Sequence, residues 1–205
     1  MLRAGMCDDD LQEALRPMRK AVDKQRGYAD FFEYPDKDVK EEGIARDLCE
    51  SLAAAGTPLA RPADLVARGK GNDPPDCEAR GIDGSRIAIE VTELVDQKAV
   101  EAVARGGSAF AWAEWTSEKL RDRIQNRLDD KDNKVLKSGL YDSVVVVIHT
   151  DEPELNIERV KALLGDTRFR ACKVIDRAFL LLAYDPHTKP EAYPVLELPL
   201  SVEPV

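Results

Sequence analysis

Residues 74–94 read PPDCEARGIDGSRIAIEVTEL, and this stretch decides the fold. Gly, Pro, Asn and Asp crowd the segment from Gly69 to Gly84, which is the chemistry of loops and turns, with a short strand expected over Asp76–Ala79. Gly81-Ile82-Asp83-Gly84 predicts a hairpin turn. Arg86–Leu94 is β-branched or apolar at nearly every second position, so it predicts a central strand with Glu90 and Thr92 on one face.

Working outward, Ile44, Ala45, Leu48, Leu52 and Ala55 form the apolar face of a helix that Asp38 can cap and Gly56 ends. Downstream, Leu120, Ile124 and Leu128 mark a second long helix within Trp115–Lys134. Ser143–Thr150 predicts a buried strand, Ile157–Leu164 a helix and Lys173–Tyr184 another strand. The stretch around Gly106-Gly107 carries no assignable pattern. The order helix, hairpin, helix, strand, helix, strand predicts an α/β fold with a mixed central sheet flanked by helices. Residues 1–36 place Leu11, Leu15 and Met18 at near-helical spacing ahead of Tyr28, Phe31, Phe32 and Tyr34. They read as a helical and aromatic arm on a single domain spanning 37–205.

Composition narrows the function. With 43% hydrophobic and 34% charged residues in 205, the chain is globular rather than disordered. The longest apolar run, Val144–Ile148, is far too short to span a bilayer, and no apolar leader opens the sequence, so no membrane partner is expected. Cys7, Cys49, Cys77 and Cys172 form no CxxC pair and read as the reduced thiols of a cytoplasmic protein. Thirty Lys and Arg against 39 Asp and Glu leave a net charge of −9, which excludes a generic nucleic-acid coat and confines any such contact to a local patch. The two histidines, His149 and His187, are too few and too separated for a His-based centre; His149 reads as a hydrogen-bonded strand-end residue. Acid–base chemistry therefore falls to carboxylates, lysines or water. Gly69-Lys70-Gly71 lacks the spacing of a nucleotide loop, Asp73 before two prolines reads as a turn former, and Trp112 and Trp115, like the Tyr28–Tyr34 aromatics, read as packing residues.

Glu90 is the exception within its strand. An ionised group among apolar neighbours is poorly solvated unless it is paired or bound to a cation. Asp76 precedes a turn that folds its strand back beside Glu90, so both carboxylates reach one point. Two such oxygen donors suit Mg²⁺, which keeps several waters and takes one or two protein carboxylates plus a substrate phosphate.

These residues resemble the PD-(D/E)xK nuclease superfamily, with its restriction-endonuclease-like core. Pro75-Asp76 is similar to its PD, and Glu90-Val91-Thr92 to its (D/E)xK with Thr92 at the lysine position, over roughly residues 38–150. The resemblance implies hydrolysis of DNA phosphodiester bonds with Mg²⁺ or Mn²⁺ held by Asp76, Glu90 and the main-chain carbonyl of Val91. It also implies a helical glutamate before the hairpin. Asp38 followed by Glu41 fits a capping box, so Glu42 is the preferred third carboxylate and Glu41 the alternative. Thr92 carries no charge, and members of the superfamily are known to move the basic group to the following helix. Lys131, three residues beyond Leu128, extends the sheet-facing stripe and is the first replacement, with Lys134 second. Trp115–Lys137 holds seven Lys or Arg and five Asp or Glu, a local excess of cations suited to phosphate. The expected partner is DNA through local contact; a homodimer or a protein partner is also compatible. The alternative function is a non-catalytic binding or assembly module that keeps the nuclease-like fold.

Overall fold

The computed structural model describes residues 28–29, 31–32, 34, 36–69, 71–107, 114–183 and 192–201. The helical stretch expected around Leu11–Met18, with Cys7, Trp112 and His187, lies outside them. In chain order the elements are α1 (Lys37–Ala54), a 3₁₀ turn (Pro62–Asp64), β1 (Val66–Ala67), β2 (Cys77–Arg80), β3 (Arg86–Glu93), α2 (Gln97–Ala104), α3 (Ser117–Asp132), β4 (Ser143–Thr150), α4 (Ile157–Leu164), β5 (Arg177–Leu182) and β6 (Val195–Leu198). The strands form one six-stranded open sheet in sequence order, β1-β2-β3-β4-β5-β6. The β3–β4 and β4–β5 pairs are parallel and the other three antiparallel, so the fold is α/β with a mixed sheet. No described helix is long and apolar enough to cross a membrane.

The sheet is covered on both faces. Ile44, Leu48 and Leu52 of α1 pack on Ile87, Ile89 and Val91 of β3, Val145 and Val147 of β4, and Phe179 and Leu181 of β5. Leu120, Ile124 and Leu128 of α3, with Val160 and Leu164 of α4, cover the opposite face through Val146, Ile148, Ala178, Leu180 and Leu182. Strand side chains alternate between faces, so a strand covered on both must be apolar throughout. The run Val144–Ile148 meets that requirement. The β2–β3 hairpin turns through Gly84 at φ +88°, a left-handed conformation open to glycine. Two of the three parallel strands, β3 and β4, are tied at their starts by aspartates: Asp142 accepts from Arg86 N at 2.7 Å, and Asp176 from Val144 N at 2.7 Å.

Several boundaries differ from the sequence-based expectation. Asp36, not Asp38, caps α1, its Oδ1 accepting from Asp38 N at 2.9 Å and Val39 N at 3.3 Å. The predicted β2 loses Asp76 to the preceding loop, α3 starts after its N-cap Thr116, and β5 is confined to Arg177–Leu182. β1, α2 and β6 are additions.

At the end of β4 the backbone enters a buried polar knot. His149 is buried and meets Phe32 edge-on, with ring centroids 5.0 Å apart. Glu152, 3% exposed, accepts from Tyr28 Oη at 2.6 Å, Trp115 Nε1 at 3.1 Å and Asp96 N at 2.6 Å. Trp115 and Tyr28 thus serve packing, joining the segment before α1, the loop before α2 and the start of α3 to one carboxylate. Three buried donors would lose their acceptor in Glu152→Ala. That variant should lose about 3 kcal/mol or more of stability, read as a lower urea midpoint at unchanged slope.

Candidate active site

β2 and β3 pair with Cys77 opposite Ile89 and Glu78 opposite Ala88. One further step of that register sets Asp76 opposite Glu90, on the face that α3 covers. Both side chains are 2% exposed. Val91 N donates to Asp76 Oδ2 at 2.8 Å, so the loop ahead of β2 is fastened to β3 through this carboxylate.

Two like charges this close and this dry require a counter-charge. Lys131 supplies it from the last turn of α3. Its Nζ donates to Asp76 Oδ2 at 2.8 Å and Glu90 Oε2 at 2.5 Å, and its side chain is 9% exposed. The stripe Leu120–Ile124–Leu128 continues to residue 131, so the apolar packing of α3 aims the lysine at the sheet. Lys134, just past the helix, places Nζ 3.1 Å from Glu90 Oε2. Glu90 Oε1, by contrast, is buried with no hydrogen-bond partner among the described residues.

A third carboxylate comes from α1. Glu41, 12% exposed, lies 3.2 Å from Lys37 Nζ, which also stands 3.5 Å from Asp73 Oδ2 and 3.8 Å from Asp76 Oδ1. Burial and the nearby Asp76 charge push the Glu41 carboxyl up to about 6, against the pull of Lys37 and Lys131. For Asp76 burial acts upward too, but Lys131, the Val91 N–H and Lys134 together hold its carboxyl below the usual range. Lys131 is raised despite its burial, because Asp76 and Glu90 both favour the ammonium.

The candidates are thus not all brought together. Asp76, Glu90, Lys131 and Lys134 converge, and Glu41 joins them. Glu42, the preferred third carboxylate, is directed elsewhere: its Oε1 binds Arg46 Nη2 at 2.7 Å, and Arg46 Nη1 reaches Pro62 O at 3.0 Å. With Asp36 as the cap, Glu41 has no capping-box role and is free to face Asp76. Thr92 is half-buried two residues beyond Glu90 on the same strand face. Lys37 escaped the sequence reading, although its i,i+4 spacing to Glu41 was a usable signal.

Among the described residues no group of three His, Cys, Asp or Glu could hold a metal. Asp76 and Glu90 nonetheless present hard oxygen donors, one of them without a partner, and these fit an ion that completes its shell with water and phosphate. Comparison with protein-family models, curated proteins and solved structures finds no match to the chain.

Glu41 makes a pH-dependent contribution whose sign is fixed by its raised pKa. Between its ordinary value of 4.5 and about 6 the folded state holds the proton more tightly than the unfolded one. Its contribution is therefore favourable below that window and lost as pH rises through it. In metal-free buffer Glu41→Gln should match wild type near pH 4 and exceed it by about 2 kcal/mol at pH 7–8, measured by denaturant titration at each pH.

Proposed function

We propose that this chain is a restriction-endonuclease-like hydrolase that cleaves DNA phosphodiester bonds with Mg²⁺ or Mn²⁺. The observation that carries the reading is the meeting of Asp76, Glu90 and Lys131, from the PD loop, β3 and α3, beside a buried Glu90 oxygen without a donor among the described residues, with Glu41 of α1 near enough to feel the Asp76 and Lys131 charges. An unpaired buried oxygen costs about 1–3 kcal/mol, a cost that a bound cation would relieve, although Arg68 Nε, in the pair with Glu78, is also buried without a partner among the described residues. A ligand site has reason to leave one open. The order of the parts also supports the reading: helical carboxylate, PD hairpin, glutamate on the next strand, and a parallel strand after the following helix.

Asp76 and Glu90 would hold the ion, with the Val91 carbonyl as a third donor. When bound, Mg²⁺ supplies charge to polarise the phosphate and to acidify an attacking water. Lys131 keeps an ammonium beside both carboxylates and would meet the charge that develops on the phosphate, the task Thr92 lacks the chemistry to perform. Glu41, with a carboxyl near 6, is ionised at neutral pH and would orient the water and accept its proton. The alternative of a non-catalytic module has two supports, Thr92 and the acidic balance; Lys131 answers the first, and the net charge of −9 still favours that alternative.

Plasmid and oligonucleotide cleavage with Mg²⁺ or Mn²⁺ tests the reading. Lys131→Ala, checked for folding by circular dichroism, should cleave on the order of 10²–10³-fold more slowly than wild type. Thr92→Lys in that background should recover part of the loss. Either metal should also raise the melting temperature of wild type but not of Glu90→Ala, because an ion held only by the folded state stabilises it. Absence of both cleavage and the thermal shift would leave the binding-module reading in its place.

A further inference from the structure

Asp76 and Glu90 face α3; on the α1 side of the sheet stands a set of aromatic rings that the proposed chemistry does not use. Phe32 and Tyr193 are half-buried and pack on the core that Ile44 and Leu48 build beneath α1. Phe31 carries the set out into solvent. Its ring meets Phe32 edge-on with centroids 5.3 Å apart and Tyr193 at 6.1 Å, and Phe32 meets Tyr193 at 6.0 Å. The three rings are therefore one patch, with Phe31, 60% exposed, as its open member. That exposure is held in place, because Phe31 N donates to Asp151 Oδ2 at 2.6 Å just past the end of β4. Contiguous rings fixed at the edge of water are what an interaction surface offers.

Charge selects the occupant. Burial and the Asp47 charge together raise the Tyr193 phenol, so Asp47 of α1 stands near that ring. Asp47 is half-buried, and its own carboxyl is pushed up to about 6 by burial and by Glu50, against the pull of Arg46. Neither the Asp47 nor the Glu50 side chain has a hydrogen bond or ion pair among the described residues. The adjacent cation is spent elsewhere, since Arg46 donates to Glu42 Oε1 and Pro62 O, and Lys40, about two turns earlier on α1, is engaged as well. Asp76 and Glu90 receive their counter-charge from Lys131; Asp47 and Glu50 receive none from within. Rings beside an uncompensated carboxylate suit a guanidinium, whose plane stacks on an aromatic face while its fork pairs with the carboxylate; an ammonium has no plane to stack. A polyanion is repelled from the same place by these carboxylates and by the net charge of −9.

We infer that Phe31, Tyr193 and Asp47 form a docking site for an arginine side chain on a basic segment of a protein partner, the guanidinium lying on the two rings with Asp47 as its counter-ion. The site stands apart from the proposed hydrolysis, because it uses none of the residues assigned to that reaction.

The test uses the full chain with a fluorescein-labelled alternating arginine–glycine peptide and its lysine–glycine counterpart, followed by anisotropy. Wild type should bind the arginine peptide about fivefold more tightly than the lysine peptide. Asp47→Asn should weaken the arginine peptide about tenfold and Phe31→Ala about fivefold, with circular dichroism confirming that both fold. Glu101→Gln removes one charge from an exposed position on α2 and should bind as wild type does, which separates the site from the mean field of an acidic chain. If Asp47→Asn and Phe31→Ala bind within about twofold of wild type, or if wild type holds the two peptides equally, the site is wrong. A single-stranded oligonucleotide bound through Phe31 in place of the peptide would overturn it in favour of base stacking. A Phe31-dependent change of sedimentation without peptide binding would overturn it in favour of a contact between two copies. Both variants should keep the metal response and cleavage of wild type, so the docking site and the hydrolase reading fail separately.

Discussion

The desolvated pair Asp76 and Glu90 is the constraint around which the rest is arranged. Two facing carboxylates, each 2% exposed, cannot remain ionised without a cation between them. That cation must come from an element that reaches the pair without opening it to water. α3 does so because Leu120, Ile124 and Leu128 seat it on Val146 and Ile148, and because residue 131 follows on the same stripe. Asp132, immediately after, accepts from the backbone N–H groups of residues 173–175 and holds the helix end against the segment before β5. Breaking that clamp would loosen the lysine before it disturbed the strands.

Much of this was legible where one residue choice repeats at a fixed period. The uninterrupted apolar run of β4, the hairpin glycines and the i,i+4 stripe of α3 each follow from burial on a known face, and that stripe also singled out Lys131. What escaped lacks a period. Val66–Ala67 is a strand because it pairs with Glu78 and Cys77, not because two residues carry a pattern. Asp36 and Asp38 have equal intrinsic ability to cap, and tertiary structure chose the former. The choice between Glu41 and Glu42, neighbours about 100° apart around the helix, turned on a two-residue difference in the helix start. Asp38 as cap sent Glu41 to a capping box; Asp36 as cap sends it to Asp76.

Two buried glutamates show two ways of holding a carboxylate out of water. Glu152 divides three donors between its two oxygens, all neutral groups in fixed positions. Glu90 receives two ammonium groups on one oxygen and nothing from the described residues on the other. Neutral donors in a closed set hold a charge in one geometry. Under the proposed reading, ammonium groups beside an oxygen without a donor could give way to another cation, because the exchange would replace one positive charge by another without stranding a carboxylate. Both residues read alike in sequence, a glutamate within or just after an apolar strand, so the distinction is visible only once their partners are known.

The net charge of −9 bears on how such a site would meet a polyanion. The mean field repels DNA, and several nearby cations are already committed: Arg86 and Arg68 to Glu78, Lys131 to Asp76 and Glu90. Lys37, 64% exposed, and Lys134, 40% exposed, stay accessible to solvent, but they too are paired, with Glu41 and with Glu90. Few phosphate contacts mean a shallow salt dependence and weak nonspecific holding. Under the proposed reading, the bound metal then becomes the largest local positive charge and selects where on the strand the chain engages. Affinity and chemistry would then be supplied by the same ion, and on that reading a chain this acidic would gain a DNA partner only where its carboxylates were filled.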